Sequence, residues 1–182
     1  MLPSPMETPR MDSSADAGLG LLAATLGTRA RVFHAGFVVR DFAAAMKLLG
    51  EALRVDWAKP LETPPMRLGT RDGEIEVPRM RLTYSVQPVH VELIEAIPGT
   101  LWEADTGLRG HHIGVWTDDL AGESARLESL GLPLHTHGVD EAGKLATFAY
   151  HETTFGMYLE IVDTAARAFY PKWFAQIAEV PA

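Results

Sequence analysis

Two histidines and two glutamates occupy matching positions in two similar stretches of this 182-residue chain. The tract that begins at His34 aligns with the tract that begins at His112, with no insertion before the following helical segment. Further along, each stretch has an apolar run that carries a glutamate, Glu92 in the first and Glu160 in the second. Imidazole nitrogens and carboxylate oxygens form a mixed ligand set for a divalent ion such as Zn, Ni, Co, Mn or Fe(II). The chain has no cysteine, so a metal site must use these ligand types.

The repeat indicates that these four residues are not unrelated surface residues, because unrelated residues would not recur at matching positions. In both tracts a glycine follows the histidine by two positions, and the two histidines are 78 residues apart. A carboxylate within an apolar strand is costly to bury without a cation or several hydrogen-bond donors. We therefore predict that the four side chains converge on one metal ion if the two copies pack with pseudo-twofold symmetry.

The elements that must position these residues follow from the periodicity of each copy. Runs rich in β-branched and aromatic residues predict strands, and one stretch of apolar residues at helical spacing predicts a helix. Asp41 and Asp119 stand where a side chain would cap each helix. The resulting order is strand, helix and three strands, twice. The first copy carries about ten extra residues, which we assign to the proline-rich segment 60–78.

The chain divides into four segments on this reading. A short helix over 16–26 is predicted within the first segment, and an amphipathic closing helix within the last. The two modules are expected to form one domain. The segments are an N-terminal extension 1–30, a first module 31–109, a second module 110–163 and a C-terminal helix 164–182.

Composition excludes several classes of function. The net charge is −8, from 16 Lys and Arg against 24 Asp and Glu, and no basic cluster is visible. Nucleic acid and anionic membrane surfaces are therefore not expected as partners. No window reaches the roughly 18 apolar residues that a membrane helix needs. We expect a cytoplasmic protein whose partner is a small-molecule substrate.

The tracts around the four proposed ligands resemble the vicinal oxygen chelate superfamily, also called the glyoxalase/bleomycin resistance/dioxygenase superfamily. The resemblance covers about residues 31–163, and the tract from His111 is similar to methylmalonyl-CoA epimerases and to glyoxalase I. It implies an α+β fold in which two tandem βαβββ modules form a cupped mixed β-sheet around a metal. It also implies a homodimer and a metal held by His34, Glu92, His112 and Glu160.

The activity that the resemblance implies is that of a metal-dependent isomerase, epimerase or lyase. Such an enzyme acts on a small oxygenated carbonyl substrate through a metal-stabilised enolate, because the ion is a Lewis acid for two adjacent substrate oxygens. Glu160 is the candidate for a ligand that also moves the proton, and Glu92 is the second catalytic candidate. Glu74 and Glu76 lie near the position of a further glutamate in epimerases, but we favour solvated loop charges.

Two alternatives stay open. A ring-cleaving Fe(II) dioxygenase uses two histidines and one glutamate, and Glu92 would occupy a position that such enzymes keep free. A non-catalytic ligand-binding protein of the bleomycin-resistance type usually lacks a complete metal set. The four-residue set counts against both.

Four further side chains on the predicted strands are candidates for substrate binding: Trp116, Tyr158, His90 and Tyr84. The first two lie within four positions of a proposed ligand on the same strand face. Basic residues for a coenzyme A phosphate are few, and the local group consists of Arg67, Arg71, Arg79 and Arg81.

Overall fold

The computed structural model describes residues 32–104 and 107–179. The helix predicted over 16–26 lies outside these residues. None of the described helices is long and apolar enough to cross a membrane. The elements in chain order are β1 Val32–Val39, α1 Phe42–Leu53, β2 Leu61–Glu62, β3 Met66–Thr70, β4 Gly73–Val77, β5 Arg81–Tyr84, β6 His90–Glu95, β7 His112–Thr117, α2 Leu120–Ser129, β8 Leu134–Val139, β9 Leu145–Glu152, β10 Tyr158–Asp163, a 3-10 helix Thr164–Ala168 and α3 Tyr170–Phe174.

All ten strands belong to one curled mixed sheet with the order β2-β5-β6-β1-β7-β10-β9-β8-β3-β4. The two halves meet at the antiparallel pair β1–β7. In the first half β1 runs parallel to β6, and in the second half β7 runs parallel to β10. The predicted α+β fold with two repeated halves is confirmed.

The proline-rich segment forms strands that the sequence pattern did not predict. Strand β2 pairs with β5, whereas the β3–β4 hairpin pairs with β8 in the other half of the sheet. Leu68 and Val77 of this hairpin are fully buried, which explains why it stays docked on β8. Glu74 and Glu76 therefore lie on a strand, although both are exposed as expected, and Glu74 pairs with Arg67 at 3.0 Å.

Both predicted helix caps are present. The Asp41 carboxylate accepts a hydrogen bond from the Ala44 N–H at 2.9 Å, and that of Asp119 accepts one from the Gly122 N–H at 2.9 Å. These bonds satisfy N–H groups that the first helical turn leaves without a backbone partner.

Helices α1 and α2 lie on one face of the sheet, and the proposed metal ligands lie on the opposite face. Leu93 packs in the cluster beneath α1, and Ile161 packs in the cluster beneath α2. Because successive side chains of a strand point to opposite faces, Glu92 and Glu160 must point away from the helices. That second face carries an aromatic-rich core, onto which Trp173 of the C-terminal segment packs.

Candidate metal centre

Each of the two histidines at the junction of the two halves places its imidazole over the facing strand. His34 lies opposite Gly114 in the β1–β7 pair, and His112 lies opposite Gly36. A Cβ at Gly36 would lie 2.0 Å from His112 Cε1, and one at Gly114 would lie 2.1 Å from His34 Cε1. Each glycine therefore provides the space that the imidazole of the facing strand occupies, which explains why glycine follows histidine by two positions in both copies.

The four predicted ligands come together in one buried cluster. His34 Nε2 lies 3.1 Å from His112 Nε2 and 3.0 Å from Glu160 Oε2, and His112 Nε2 lies 2.9 Å from Glu92 Oε2. The two cross distances, from His34 to Glu92 and from His112 to Glu160, are 3.4 and 3.6 Å between the same atoms. Ligand atoms that surround an ion tetrahedrally at about 2.0–2.1 Å lie about 3.3 Å from one another. The cluster therefore has the dimensions of a metal site, and one chain supplies all four groups.

The hydrogen bonds of the cluster leave donor atoms directed at the shared centre. His112 Nδ1 lies 2.9 Å from the Gly110 carbonyl and can donate to it, which leaves the lone pair of Nε2 for a cation. Glu160 Oε2 is buried and makes no hydrogen bond among the described residues, although His34 Nε2 lies 3.0 Å from it. Such an orphaned anionic oxygen is costly unless a cation compensates it.

The charges in the cluster also favour a cation. Burial opposes protonation of His112, but the hydrogen bond to Glu92 and the charges of Glu160 and Glu92 outweigh it and raise the pKa of His112 to about 9. Burial would raise the pKa of Glu92, yet His34 and His112 outweigh burial and lower it. Without an ion, protons on imidazole offset the negative charge. Two carboxylates with two neutral imidazoles would instead balance a divalent ion, so the residues present fit a metal.

Tyr84 and Tyr150 hold equivalent places beside the two glutamates. Tyr84 lies opposite Glu92 in the β5–β6 pair, and Tyr150 lies opposite Glu160 in the β9–β10 pair, so each phenol shares a sheet face with the glutamate opposite it. Burial, and then the charge of the neighbouring glutamate, raises the pKa of both tyrosines well above the usual 10. Both hydroxyls therefore stay protonated and can donate a hydrogen bond to a carboxylate.

Further aromatic residues pack behind the two tyrosines. The indole N–H of Trp102 donates to the hydroxyl of Tyr150 at 3.4 Å. The ring of Tyr170 lies edge-on to that of Tyr84, with ring centroids 5.6 Å apart. These contacts restrict the orientation of the tyrosines that face the two glutamates.

A cavity of about 280 Å³ opens beside the cluster and is lined by both glutamates. Of the four predicted substrate-binding residues, Tyr84 lines this cavity. Trp116 packs on Phe33, with ring centroids 4.2 Å apart, and is not part of the cavity wall. His90 directs Nδ1 at the Ser85 carbonyl, 2.7 Å away. Tyr158 lines a separate, polar depression, where its ring lies 4.9 Å from that of His135.

The cavity wall contains further aromatic residues. Trp102 and Tyr150 belong to the aromatic residues that the sequence offers as candidate pocket lining, whereas Phe148, Phe169, Tyr170 and Trp173 were not predicted as site residues. The repeat adds a signal for Tyr150, because Tyr150 precedes Glu160 as Tyr84 precedes Glu92, one strand earlier in each copy. The C-terminal rings carry no such signal, since their helical spacing is equally typical of core residues.

Comparisons with known proteins agree with this architecture. A methylmalonyl-CoA epimerase from Mycobacterium tuberculosis is 16% identical over 76% of this chain and 91% of that chain, with a TM-score of 0.50. A variant of the Streptomyces coelicolor methylmalonyl-CoA epimerase, in complex with 2-nitronate-propionyl-CoA, is 14% identical over 75% of this chain and 98% of that chain, also with a TM-score of 0.50. At these identities the likeness concerns the fold. No curated protein sequence gives a significant match.

A family model gives the more specific result. The Glyoxalase/Bleomycin resistance protein/Dioxygenase superfamily matches residues 33–150, which is more than half of the chain and includes both histidines and Glu92. The chain therefore belongs to the glyoxalase/bleomycin resistance protein/dioxygenase superfamily.

Proposed function

We propose that the protein is a metal-dependent isomerase, epimerase or lyase that moves a proton next to a carbonyl group of a small oxygenated substrate. The observation that carries the proposal is the convergence of four buried ligand atoms, all within 4.8 Å of one another, beside a cavity that both glutamates line. His34, Glu92, His112 and Glu160 would hold the divalent ion. When bound, the ion would supply a Lewis acid for substrate oxygens.

Glu160 is the better candidate for moving the proton. Its Oε2 makes no hydrogen bond among the described residues, although His34 Nε2 lies 3.0 Å away, whereas Glu92 Oε2 lies 2.9 Å from His112 Nε2 and is hydrogen-bonded to it. A carboxylate oxygen with fewer bonds gives up less when it accepts a proton from the substrate. Glu92, hydrogen-bonded to His112 and opposite Tyr84 in the sheet, would then serve mainly to keep the ligand set in place.

Elemental analysis of the purified protein tests the metal site. We expect close to one divalent ion per chain in the parent and a loss of most of it in His34→Ala and Glu160→Ala. His137→Ala is the matched control, because His137 also packs over a strand glycine, Gly69, but belongs to another part of the sheet. Metal content that is equal in all four proteins would overturn the proposal.

The reaction class requires a separate measurement. Incubation in D₂O with small α-hydroxy ketones should exchange the hydrogen next to the carbonyl, and Glu160→Gln should abolish the exchange. The dioxygenase alternative predicts instead that the Fe(II)-loaded protein consumes oxygen with catechols. Both glutamates lie in the cluster, which does not favour the set of two histidines and one carboxylate that such enzymes use.

We further propose that the protein acts as a homodimer. The four ligand atoms come from one chain, so dimerisation would not be needed to complete the metal site. Light scattering of the metal-loaded protein should give twice the 19.9 kDa chain mass. A mass of one chain at assay concentration would contradict this expectation while leaving the metal site intact.

A further inference from the structure

We propose that the cavity beside the metal centre receives an uncharged aromatic group of the substrate. This inference rests on the proposed function and narrows its substrate class. Glu92 and Glu160 form part of the cavity wall, so a substrate whose oxygens face the metal centre would extend its remaining atoms into this space. The volume of about 280 Å³ is at the small end of ligand sites, which suits a compact group.

The rest of the wall is mainly apolar, with seven aromatic residues, seven aliphatic ones and two threonines. The aromatic residues come from separate parts of the chain. Trp102 lies in the loop before β7, Phe148 and Tyr150 lie on β9, and Tyr170 and Trp173 lie in α3. Aromatic rings pack well edge-to-face or offset against another ring, and they define a flat space better than flexible aliphatic chains do. The apolar wall therefore suits an uncharged group, and its rings can pack against a flat one.

The cavity offers nothing to balance an additional negative charge. The residues that line it, all of them within the described part of the chain, include no lysine, arginine or histidine, and Glu92 and Glu160 are its only charged groups. A phosphate or a second carboxylate in this space would be desolvated beside two buried anions. The part of the substrate that enters the cavity is therefore uncharged.

The arginines that are close in sequence to residues of the cavity wall already form ion pairs with glutamates. Arg79 and Arg81 flank Met80, which lines the cavity, but their guanidinium groups lie 3.1 and 3.8 Å from Glu62 and Glu95. Arg67 pairs with Glu74 at 3.0 Å and Arg71 with Glu152 at 3.2 Å. The phosphates of a coenzyme A thioester would have to displace these carboxylates.

The C-terminal segment gives the cavity a wall that the superfamily match does not include. Phe169, Tyr170 and Trp173 lie beyond residues 33–150, the region that the family model covers. The indole N–H of Trp173 donates to the Lys59 carbonyl at 2.7 Å, which ties α3 to the first half of the sheet. Substrate selection in this chain is therefore assigned to rings that its own C-terminal segment supplies.

Hydroxamic acids of different size test the proposal, because they present the same two chelating oxygens to a metal. We would titrate the Co²⁺-loaded protein with benzohydroxamic, cyclohexanecarbohydroxamic and acetohydroxamic acids and with methylmalonyl-CoA, using calorimetry and the visible Co²⁺ spectrum. Benzohydroxamic acid should bind on the order of 10- to 100-fold more tightly than acetohydroxamic acid, from the extra apolar surface it buries. It should also bind more tightly than the puckered cyclohexane analogue and than methylmalonyl-CoA.

A pair of phenylalanine variants locates the effect. Phe169 is half exposed at the cavity wall, and Phe155, also exposed, lies in the turn before β10 and away from the cavity. Phe169→Ala should weaken the binding of benzohydroxamic acid by about 3- to 10-fold and leave the affinity for acetohydroxamic acid unchanged. Phe155→Ala should change neither.

The outcomes separate the two proposals. A protein that takes up no metal would overturn the proposed function and this inference together. Metal uptake with equal affinity for the three hydroxamic acids, or with tighter binding of methylmalonyl-CoA, would overturn only the aromatic substrate class. Equal affinity for the phenyl and cyclohexyl compounds would contradict the assignment of a flat group.

Discussion

The imidazole of His34 fills the space over Gly114 on the neighbouring strand, where an added Cβ would come within 2.1 Å of His34 Cε1. His112 and Gly36 repeat the arrangement from the opposite side. The two glycines allow both imidazoles to lie across the β1–β7 junction with their Nε2 atoms 3.1 Å apart. The β1–β7 pair thus sets the distance between the two imidazoles, because the glycine opposite each histidine has no side chain in the way.

We expect Gly114→Ala to displace His34 and to lower metal affinity by at least tenfold, because the imidazole cannot keep its position. Overpacking should also destabilise the fold by about 1–3 kcal/mol. Chelator competition measures the affinity, and urea denaturation measures the stability. Gly69→Ala is the matched control, since its Cβ would meet His137 at 2.3 Å. It should cost similar stability without loss of metal, and a parallel loss of affinity would argue against a specific role for Gly114.

Removal of the hydroxyl from Tyr84 or Tyr150 should weaken the metal site without unfolding the protein. Each Tyr→Phe change deletes the hydroxyl beside one proposed glutamate ligand, and loss of such an outer partner typically costs 10- to 100-fold in metal affinity. Metal titration of the two variants, with the Co²⁺ spectrum as a second readout, checks this expectation. Tyr158→Phe is the control, because this buried tyrosine faces His135 instead of the cluster. Affinities equal to that of the parent would show that the glutamates need no orienting donor.

Leu68 should hold the β3–β4 hairpin on the far edge of the sheet. The side chain is fully buried, so Leu68→Ala should lower the free energy of unfolding by about 2–5 kcal/mol. Hydrogen exchange should increase first in residues 66–77, which pair with β8 only through β3. Leu48→Ala, at a position that is 66% exposed, should have almost no effect. Protection of the hairpin that survives Leu68→Ala would contradict this account.

Acid should destabilise the protein in part through His151. This buried side chain has Nδ1 2.8 Å from the Leu132 carbonyl, and its Nε2 has no hydrogen-bond partner among the described residues. Burial lowers its pKa from the usual 6.5, so the folded state favours the neutral ring. The stability from this residue is therefore present above pH 6.5 and is lost as the pH falls below 6.5 toward the folded-state pKa, at no more than about 1.4 kcal/mol per pH unit.

Urea denaturation at pH 7.5 and pH 5.5 checks this contribution. His151→Asn keeps a donor for Leu132 but cannot take up a proton, so the variant should lose less stability than the parent between the two pH values. Groups that are common to both proteins, the metal ligands included, cancel in this comparison. The same pH dependence in parent and variant would exclude His151 as a source of acid lability.

Features that depend on near neighbours in the chain and on the repeat could be predicted without a structure. Asp41 and Asp119 were identifiable as helix caps, and both accept the expected backbone bond. The alternation around Glu92 and Glu160 fixed the face on which each carboxylate lies. The repeat selected the four ligand candidates because equivalent positions of two similar modules become equivalent in space.

Contacts between segments that are far apart in sequence became known from the folded chain. The pairing of the β3–β4 hairpin with β8, the partners of Tyr84 and Tyr150, and the closure of the cavity by α3 all join residues far apart in sequence. Local spacing describes an apolar or aromatic stripe equally well whether it fills a core or lines a cavity. Trp116 and Trp173 illustrate this, because the ring predicted to bind substrate packs against Phe33, and a ring of the predicted closing helix lines the cavity. The difference arises from the space that packing leaves open, and no local pattern encodes that space.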